Sequence, residues 1–192
     1  MADTKLVRRA AVRHLLADAD ELLVIAGLGA SAWDVAACGD RRSYFYLWNA
    51  MGNAAAVGFG LALAQPNRLV AVITGDGEQL MGLAALATIG AARPRNLHLV
   101  VLDNERYGET GKQATATAHG CDLAAIASAC GFARTHTVRK QAALDEVAAG
   151  LRRYDGPSCS VLKVGLEDDP SVLPPKLGAG QKHRFRGALA LE

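Results

Sequence analysis

Short apolar runs alternate with helical patterns of apolar and polar residues along most of the chain. The short runs are apolar at nearly every position instead of every second one, which is typical of parallel strands covered on both faces. Strands are predicted at 21–27, 43–48, 68–75, 96–104, 133–138 and 158–165, and helices at 31–39, 53–65, 78–92, 122–131 and 141–154. This alternation predicts an α/β fold, an open doubly wound parallel sheet with helices on both faces.

The two ends of the sequence carry different patterns. The N-terminal stretch MADTKLVRRAAVRHLL has charges inside its apolar pattern, so we expect an amphipathic helix and not a signal peptide. Residues 167–192 are rich in Pro and Gly, and we expect residues 1–166 to form the domain and this segment to be a basic tail. Its KHRFRG stretch at 182–187 is either solvated or folded over the site or a partner, where it would steer an anionic substrate.

The composition argues against several classes of protein. Among the 192 residues, Lys and Arg total 21 against 19 for Asp and Glu, and the charges are scattered, so there is no electrostatic footprint for nucleic acid. No apolar run is long enough to cross a membrane. The four cysteines lie in no CxxC spacing, which argues against a zinc site or a disulfide framework and predicts a reducing, cytoplasmic location.

The stretch AVITGDGEQLMG at 71–82 places an acid between two glycines where a predicted strand is followed by a helix. Asp76 follows the third strand, and Asn104 ends the fourth. If these strands are neighbours, both side chains project over one edge of the sheet, where their oxygens suit Mg²⁺ or Ca²⁺. GDG alone is equally consistent with an ordinary turn. The matching Asn104 favours a metal-bridged diphosphate beside a helix N-terminus.

Longer segments carry a resemblance to a known family. GDG, followed after 26 residues by N and ERYG, resembles the metal–diphosphate motif of thiamin-diphosphate enzymes. The segments YLWNAMGNAAAVGFGLALAQP, GDGEQLMGLAALATIGAARPRNLHLVVLDNERYGETGKQ and DLAAIASACGF are similar to the β subunit of sulfopyruvate and phosphonopyruvate decarboxylases. The likeness covers roughly residues 20–165. It implies the diphosphate domain of the thiamin-diphosphate-binding fold, with thiamin diphosphate and Mg²⁺ as cofactors.

The resemblance implies a role for each residue around the diphosphate. Mg²⁺ would be bound by Asp76, Asn104 and the backbone carbonyl of Arg106. Backbone N–H groups of Gly77 and Glu78 would bind the diphosphate from one side. The other side would be closed by Gly29, Ala30 and Ser31, and the cofactor-binding set also includes Gly75, Tyr107 and Gly108.

The rest of the cofactor would be shaped by the NAMG segment. Met51 matches the bulky apolar residue that holds the cofactor in its bent form, although a methionine by itself is more often core filling. The carbonyl of Asn49 would accept a hydrogen bond from the aminopyrimidine. Asn49 and Ala50 stand where members of the family usually have Gly and Ser.

A polar loop at 105–121 follows the fourth predicted strand and is placed to reach a substrate. Its candidate substrate contacts are Tyr107, Glu109, Thr110 and His119, with Gln113 as a further polar group. The commonest family pattern here is YGSTG, whereas this chain has YGETG. An acid at Glu109 is unfavourable beside an anionic substrate unless it points away or pairs with Arg106 or Lys112.

The function that the resemblance implies is that of an enzyme subunit. It would belong to a thiamin-diphosphate-dependent decarboxylase that converts a small anionic 2-oxo acid, such as 3-sulfopyruvate or 3-phosphonopyruvate, to an aldehyde without oxidation. A carboligase of the acetolactate-synthase type, a 2-oxo acid:ferredoxin oxidoreductase subunit and a non-catalytic thiamin-diphosphate-binding partner are the alternatives. The scattered cysteines argue against the ferredoxin-linked enzyme, which normally has cluster-binding cysteines.

The resemblance also implies a missing half. The glutamate that activates the cofactor in this family belongs to a pyrimidine-binding domain, which the sequence is too short to contain. We therefore expect no catalytic residue of that kind on this chain and a separate pyrimidine-binding subunit of comparable size. The smallest working unit would be an (αβ)₂ assembly with the cofactor across the subunit interface. An isolated diphosphate-binding half would expose an apolar face.

Overall fold

The structure is a computed structural model that describes residues 5–166 and 169–190. Its strands are β1 (Leu23–Ala26), β2 (Tyr44–Tyr46), β3 (Val70–Gly75), β4 (Leu97–Asp103), β5 (Arg106–Tyr107), β6 (Gln113–Ala114), β7 (Arg134–Val138) and β8 (Ser158–Lys163). Its helices are α1 (Arg8–Leu15), α2 (Ala30–Ala37), α3 (Ala54–Ala64), α4 (Asp76–Met81), α5 (Ala84–Ala92), α6 (Leu123–Ala129), α7 (Leu144–Gly150) and α8 (Gly178–Ala188). No helix within the described ranges is long and apolar enough to span a bilayer.

Six of the strands form one parallel sheet in the order β2-β1-β3-β4-β8-β7. The fold class predicted from the apolar runs is therefore confirmed. The third and fourth predicted strands are neighbours in the sheet, because β3 pairs with β4 and Gly75 lies opposite Leu102. The segments that follow these two strands consequently leave the sheet at the same edge.

The apolar strands divide their side chains between two hydrophobic cores. In β3, Ala71 and Ile73 pack in a cluster with apolar residues of α1, α2 and α7. Val70 and Val72 pack in a second cluster, with residues of α3, α5, α6 and α8. Successive side chains of a strand point to opposite faces of a sheet. Since both faces are covered, both sets must be apolar, which is why the runs show no polar alternation.

The single helix predicted at 78–92 is two helices. α4 begins at Asp76, two residues before the predicted start, and is separated from α5 by Gly82 and Leu83. At this break the backbone of Gly82 lies against that of Gly52, and a Cβ on Gly82 would lie 2.0 Å from the carbonyl oxygen of Gly52. Helical periodicity could not reveal this break, because it is associated with a contact to a residue distant in sequence.

Residues 178–188, within the segment expected to be a tail, form α8 and pack on the edge strand β2. Phe185 is buried, with its ring centroid 5.4 Å from that of Phe45. The side-chain oxygen of Gln181 accepts a hydrogen bond from the Tyr46 N–H at 3.1 Å. Glycine-rich sequence is a poor predictor of helix, and here tertiary contacts decide the conformation.

The remaining differences from the sequence-based assignment lie at boundaries. The loop at 105–121 contains the two-residue strands β5 and β6 and short 3₁₀ turns at 108–110 and 116–119. The helix predicted at 141–154 begins as a 3₁₀ turn, and α7 ends at Gly150. Asp122 caps α6 as its position predicts, because its Oδ1 accepts from the N–H groups of Ala124 and Ala125 at 2.9 and 3.0 Å.

Candidate cofactor-binding site

A cleft with about 620 Å³ of space between its walls, part of it open to solvent, lies at the carboxyl edge of β1, β3 and β4. Ligands of open α/β sheets bind beyond this edge. The structure brings most of the predicted site residues to this one cleft. They are Ala30, Ser31, Met51, Gly75, Asp76, Gly77, Glu78, Asn104, Arg106, Tyr107, Gly108, Glu109 and Thr110.

Asp76 lies at the base of the cleft, 2% exposed. Its Oδ2 accepts a hydrogen bond of 2.6 Å from the Thr115 hydroxyl and lies 3.2 Å from the Thr117 hydroxyl. Burial raises the pKa of this carboxyl above its ordinary value, and the hydrogen bond from Thr115 acts in the opposite direction. Both threonine contacts are to Oδ2, so the other oxygen is not engaged by them.

The turn after β4 is shaped by two side chains that fold back on the main chain. Asp103 accepts from the Glu105 N–H at 3.1 Å, and Asn104 accepts from the Arg106 N–H at 2.9 Å through its Oδ1. Such bonds between a side chain and the main chain two residues on stabilise tight turns. Within this turn Glu105 has a φ of 65°. The turn thereby presents Asn104 and Arg106 to the cleft wall.

The groups in the cleft suit a hard divalent cation. Asp76 has carboxylate oxygens, Asn104 an amide oxygen and Arg106 a backbone carbonyl, and all three residues line the same cleft. In the part of the chain that the structure describes, no group of three or more His, Cys, Asp or Glu side chains is placed to hold a metal. A cation here would depend on the mixed oxygen set completed by oxygens of water or of a bound phosphate.

Gly77 and Tyr107 form a close contact across the cleft. A Cβ on Gly77 would lie 2.6 Å from Cδ1 of the Tyr107 ring, so the ring packs directly on the glycine backbone. Glu78 extends away from this contact and is 8% exposed. Its Oε2 accepts from the Thr74 hydroxyl at 2.7 Å and from the Leu28 N–H at 3.2 Å. Burial raises the pKa of Glu78. This side chain thereby ties the loop after β1 to β3.

The turn that carries Met51 has a left-handed residue at its start. Asn49 has a φ of 58°, a region in which Gly and Asn are the favoured residues. Asparagine tolerates this backbone conformation, as would the glycine that the resemblance leads us to expect at this position. Met51 is half-buried and lines the cleft, while Asn49 itself does not.

Two further candidates, Gly29 and His119, do not line the cleft. Gly29 is the residue before α2, at the rim, and a Cβ there would lie 2.3 Å from Oε1 of Glu109. Glu109 thus reaches across to the loop after β1. His119 is exposed at the end of the turn 116–119 and is not brought to the cleft, because the turn directs Thr117 inward instead.

Sequence reasoning missed several residues that support the site. Thr115 and Thr117 contact Asp76, Lys163 donates to Asp103 at 2.7 Å, and Arg8 lines the cleft. The alternation TAT in an otherwise polar loop is a faint signal for two inward side chains. Arg8 lies in a helix and Lys163 in a strand, and the folded chain alone brings Arg8 to the cleft and Lys163 to Asp103.

The fold and this site define the class of the chain as an α/β domain that binds a ligand beyond the carboxyl ends of its strands. A family described as "Thiamine pyrophosphate enzyme, C-terminal TPP binding domain" matches residues 27–161, and the chain belongs to this family. The resemblance carried by the motifs, and with it the prediction of thiamin diphosphate as the cofactor, is thereby confirmed.

Similar proteins fall into two size classes. The chain is 41% identical over 152 residues to phosphonopyruvate decarboxylase of Streptomyces viridochromogenes, which covers 79% of this chain but only 38% of that relative's length. It is 30% identical over 190 residues to sulfopyruvate decarboxylase subunit beta of Methanococcus maripaludis, covering 96% of this chain and 98% of that subunit. The name of the second relative implies a further subunit in that enzyme.

The fold also matches a solved structure. The crystal structure of benzoylformate decarboxylase from Polynucleobacter necessarius superposes with a TM-score of 0.70 at 21% identity, covering 86% of this chain and 34% of that one. At this identity the likeness supports the fold alone. The diphosphate-domain fold is the one that the sequence predicts.

Proposed function

We propose that the chain is the diphosphate-binding subunit of a decarboxylase that depends on thiamin diphosphate and Mg²⁺. The enzyme would act non-oxidatively on a small anionic 2-oxo acid of the 3-sulfopyruvate or 3-phosphonopyruvate type and release an aldehyde. The carboxylate of Asp76 and the amide of Asn104, which line one cleft at the ends of paired strands, are the observation that carries this proposal. They supply the hard oxygens that Mg²⁺ takes beside a diphosphate.

Different residues of the cleft would bind the two ends of the cofactor. Asp76, Asn104 and the Arg106 carbonyl would hold Mg²⁺, with the backbone at Gly77 beside the diphosphate. Met51, on the turn that begins at Asn49, would support the opposite end. Thiamin diphosphate, when bound, supplies the electron sink for loss of CO₂. The residues of this chain bind and orient it.

The substrate class comes from the relatives' names together with the cleft. The two relatives described above are named for phosphonopyruvate and sulfopyruvate, both 2-oxo acids with a second anionic group. Glu109 lies against Gly29, and the guanidinium of Arg106 donates to the carbonyl oxygen of Glu105 at 2.8 Å. Tyr107, Glu109 and Thr110 remain the candidate substrate contacts on the cleft wall. In the carboligase and ferredoxin-linked alternatives, the same residues would bind the diphosphate.

The partner would be a separate pyrimidine-binding subunit that carries the activating glutamate, in an (αβ)₂ assembly. The phosphonopyruvate decarboxylase relative is long enough to hold a second domain on one chain, whereas the β subunit of similar length to this chain is not. We place the assembly in the cytoplasm because the four cysteines are free thiols, which suits a reducing compartment. We propose residues 1–166 as the cofactor-binding domain and residues 167–192 as a C-terminal segment. Its helix α8 packs on that domain.

Calorimetric titration of Asp76→Ala with thiamin diphosphate tests the metal assignment. We expect the affinity for thiamin diphosphate in the presence of Mg²⁺ to fall by more than about 100-fold. The loss of a side chain that binds the metal directly should cost more affinity than the loss of a residue that only orients such a side chain. Asp145→Ala, which removes an exposed carboxylate on α7, is the control and should bind as the unmodified chain does. Thiamin, which lacks the diphosphate, should not compete. Unchanged affinity in Asp76→Ala would remove the metal assignment.

A further inference from the structure

Two threonine hydroxyls lie directly beneath the predicted metal ligand Asp76. Thr115 is 1% exposed and Thr117 is 6% exposed, on the segment that follows β6. The Thr115 hydroxyl donates to Asp76 Oδ2 at 2.6 Å, the Thr117 hydroxyl lies 3.2 Å from the same oxygen, and the two hydroxyls lie 2.8 Å apart. One oxygen of the carboxylate is therefore held by the Thr115 hydroxyl, and the Thr117 hydroxyl lies beside it.

Thr117 also connects Asp76 to the second half of the site. Its hydroxyl donates to Asp103 Oδ1 at 2.8 Å, and Asp103 directly precedes Asn104. The other oxygen of Asp103 accepts from Lys163 Nζ at 2.7 Å. One threonine thus spans the ends of β3 and β4, the two strands from which the predicted metal ligands Asp76 and Asn104 follow.

Hydroxyl groups suit this task for an electrostatic reason. A Lys or Arg bonded to Asp76 would hold the carboxylate equally well, but its charge would repel a divalent cation a few ångströms away. A hydroxyl donates a hydrogen bond without a full charge. The lysine that joins this network, Lys163, is bonded to Asp103 instead. Partners that orient a metal ligand in this way commonly set metal affinity.

We propose that Thr115 and Thr117 are positioning residues for the metal site. Thr115 fixes the rotamer of Asp76, which leaves Oδ1 for the cation, and Thr117 fixes the spacing between Asp76 and the turn that carries Asn104. This inference rests on the proposed function, because it assigns the two threonines to the same Mg²⁺–diphosphate site. It predicts a loss of metal affinity from side chains that would not touch the metal.

The test compares variants that differ only in the hydroxyl. Thr115→Val keeps the shape of the side chain and removes the donor, whereas Thr115→Ser keeps the donor. Mg²⁺ is titrated calorimetrically into each full chain in the presence of thiamin diphosphate, and thermal unfolding is followed without ligands. Thr88→Val, at an exposed position of α5, is the matched control.

We expect Thr115→Val to bind Mg²⁺ about 10- to 100-fold more weakly, with Thr115→Ser within about threefold of the unmodified chain. Thr117→Val should also weaken Mg²⁺ binding, and it carries the test by itself if Thr115→Val does not fold. Unmodified Mg²⁺ affinity in the folded valine variants would overturn the inference. So would a loss in Thr115→Ser as large as in Thr115→Val, which would indicate packing instead of donation.

The Mg²⁺ dependence of thiamin diphosphate binding by the unmodified chain distinguishes a failure of this inference from a failure of the proposed function. If the unmodified chain binds thiamin diphosphate without any dependence on Mg²⁺, the proposed metal site itself is wrong and the inference falls with it. If the unmodified chain shows that dependence and Thr115→Val retains it in full, only the positioning role is wrong.

Discussion

His98 is the second residue of β4 and is fully buried, with both ring nitrogens hydrogen-bonded. Nε2 lies 2.9 Å from the carbonyl oxygen of Arg153, which can only accept, so we assign the proton to Nε2. Nδ1 then accepts from the Ser158 hydroxyl at 2.8 Å. Burial is the main cause that lowers the pKa of His98, to about 4 from an ordinary value of 6.5. The folded protein therefore holds this ring neutral.

This predicts a loss of stability in mild acid. Between pH 6.5 and about 4 the unfolded chain protonates His98 and the folded chain does not. The contribution of the neutral ring to the free energy of unfolding is therefore complete above pH 6.5 and is lost as the pH falls. The lowered pKa corresponds to about 3 kcal/mol over that interval. Urea unfolding at pH 7.5 and pH 5 should show a smaller pH dependence for His98→Gln than for the unmodified chain. His183→Gln, at an exposed position of α8, is the control.

The comparison between variants is needed because other buried groups act in the opposite sense. Burial raises the pKa of Asp76 and of Glu78, so the folded chain takes up their protons more readily than the unfolded chain. Their contribution to stability increases as the pH falls. These terms are common to both proteins and cancel in the difference. An equal pH dependence in His98→Gln and the unmodified chain would show that the buried ring is not the acid-sensitive group.

At the scale of elements, α8 protects the open edge of the sheet. β2 is the outermost strand on its side, and an unpaired edge strand is a template for aggregation. The side-chain oxygen of Gln181 accepts a hydrogen bond from the Tyr46 N–H, and its amide nitrogen donates to the Pro175 carbonyl at 2.7 Å. Phe185 packs on Phe45 beside this contact. One polar and one aromatic side chain thus hold α8 on the strand.

Phe185→Ala is expected to lower the free energy of unfolding by about 3 kcal/mol, since a large buried ring is removed and a cavity is left. The change should also expose residues 178–188 to limited proteolysis before the rest of the chain. Leu177→Ala, at a side chain that is 72% exposed, should change stability by less than about 0.5 kcal/mol. Equal proteolysis rates for the two variants would show that α8 is not held by this ring.

What the sequence could predict depended on the range of the contacts involved. The strands, and the places of Asp76 and Asn104 after two of them, follow from local apolar runs that end in polar residues. The roles of Thr115 and Thr117 depend on Asp76, which no local pattern links to them. The break at Gly82 and the α8 helix were missed for the same physical reason, because both depend on tertiary contacts.

At the scale of the whole molecule, apolar side chains are exposed beside the cleft. Met81, on α4, is 59% exposed and lies against the Gly52 turn that follows Met51. Val57, on the neighbouring α3, is 37% exposed. Apolar surface beside a binding cleft commonly marks an interface. This is the face that a pyrimidine-binding subunit would cover if the cofactor lies between the two chains.

The split site predicts that the isolated chain has no decarboxylase turnover, because the group that activates the cofactor would lie on the partner. Release of aldehyde from 3-sulfopyruvate and 3-phosphonopyruvate should appear only when the pyrimidine-binding subunit is added at about equal concentration. The same complex built with Asp76→Ala should stay inactive, which ties the turnover to this cleft. Full turnover by the chain alone would contradict the split site. Turnover by the Asp76→Ala complex would show that the chemistry does not require the cation site, since that variant lacks the carboxylate on which the site depends.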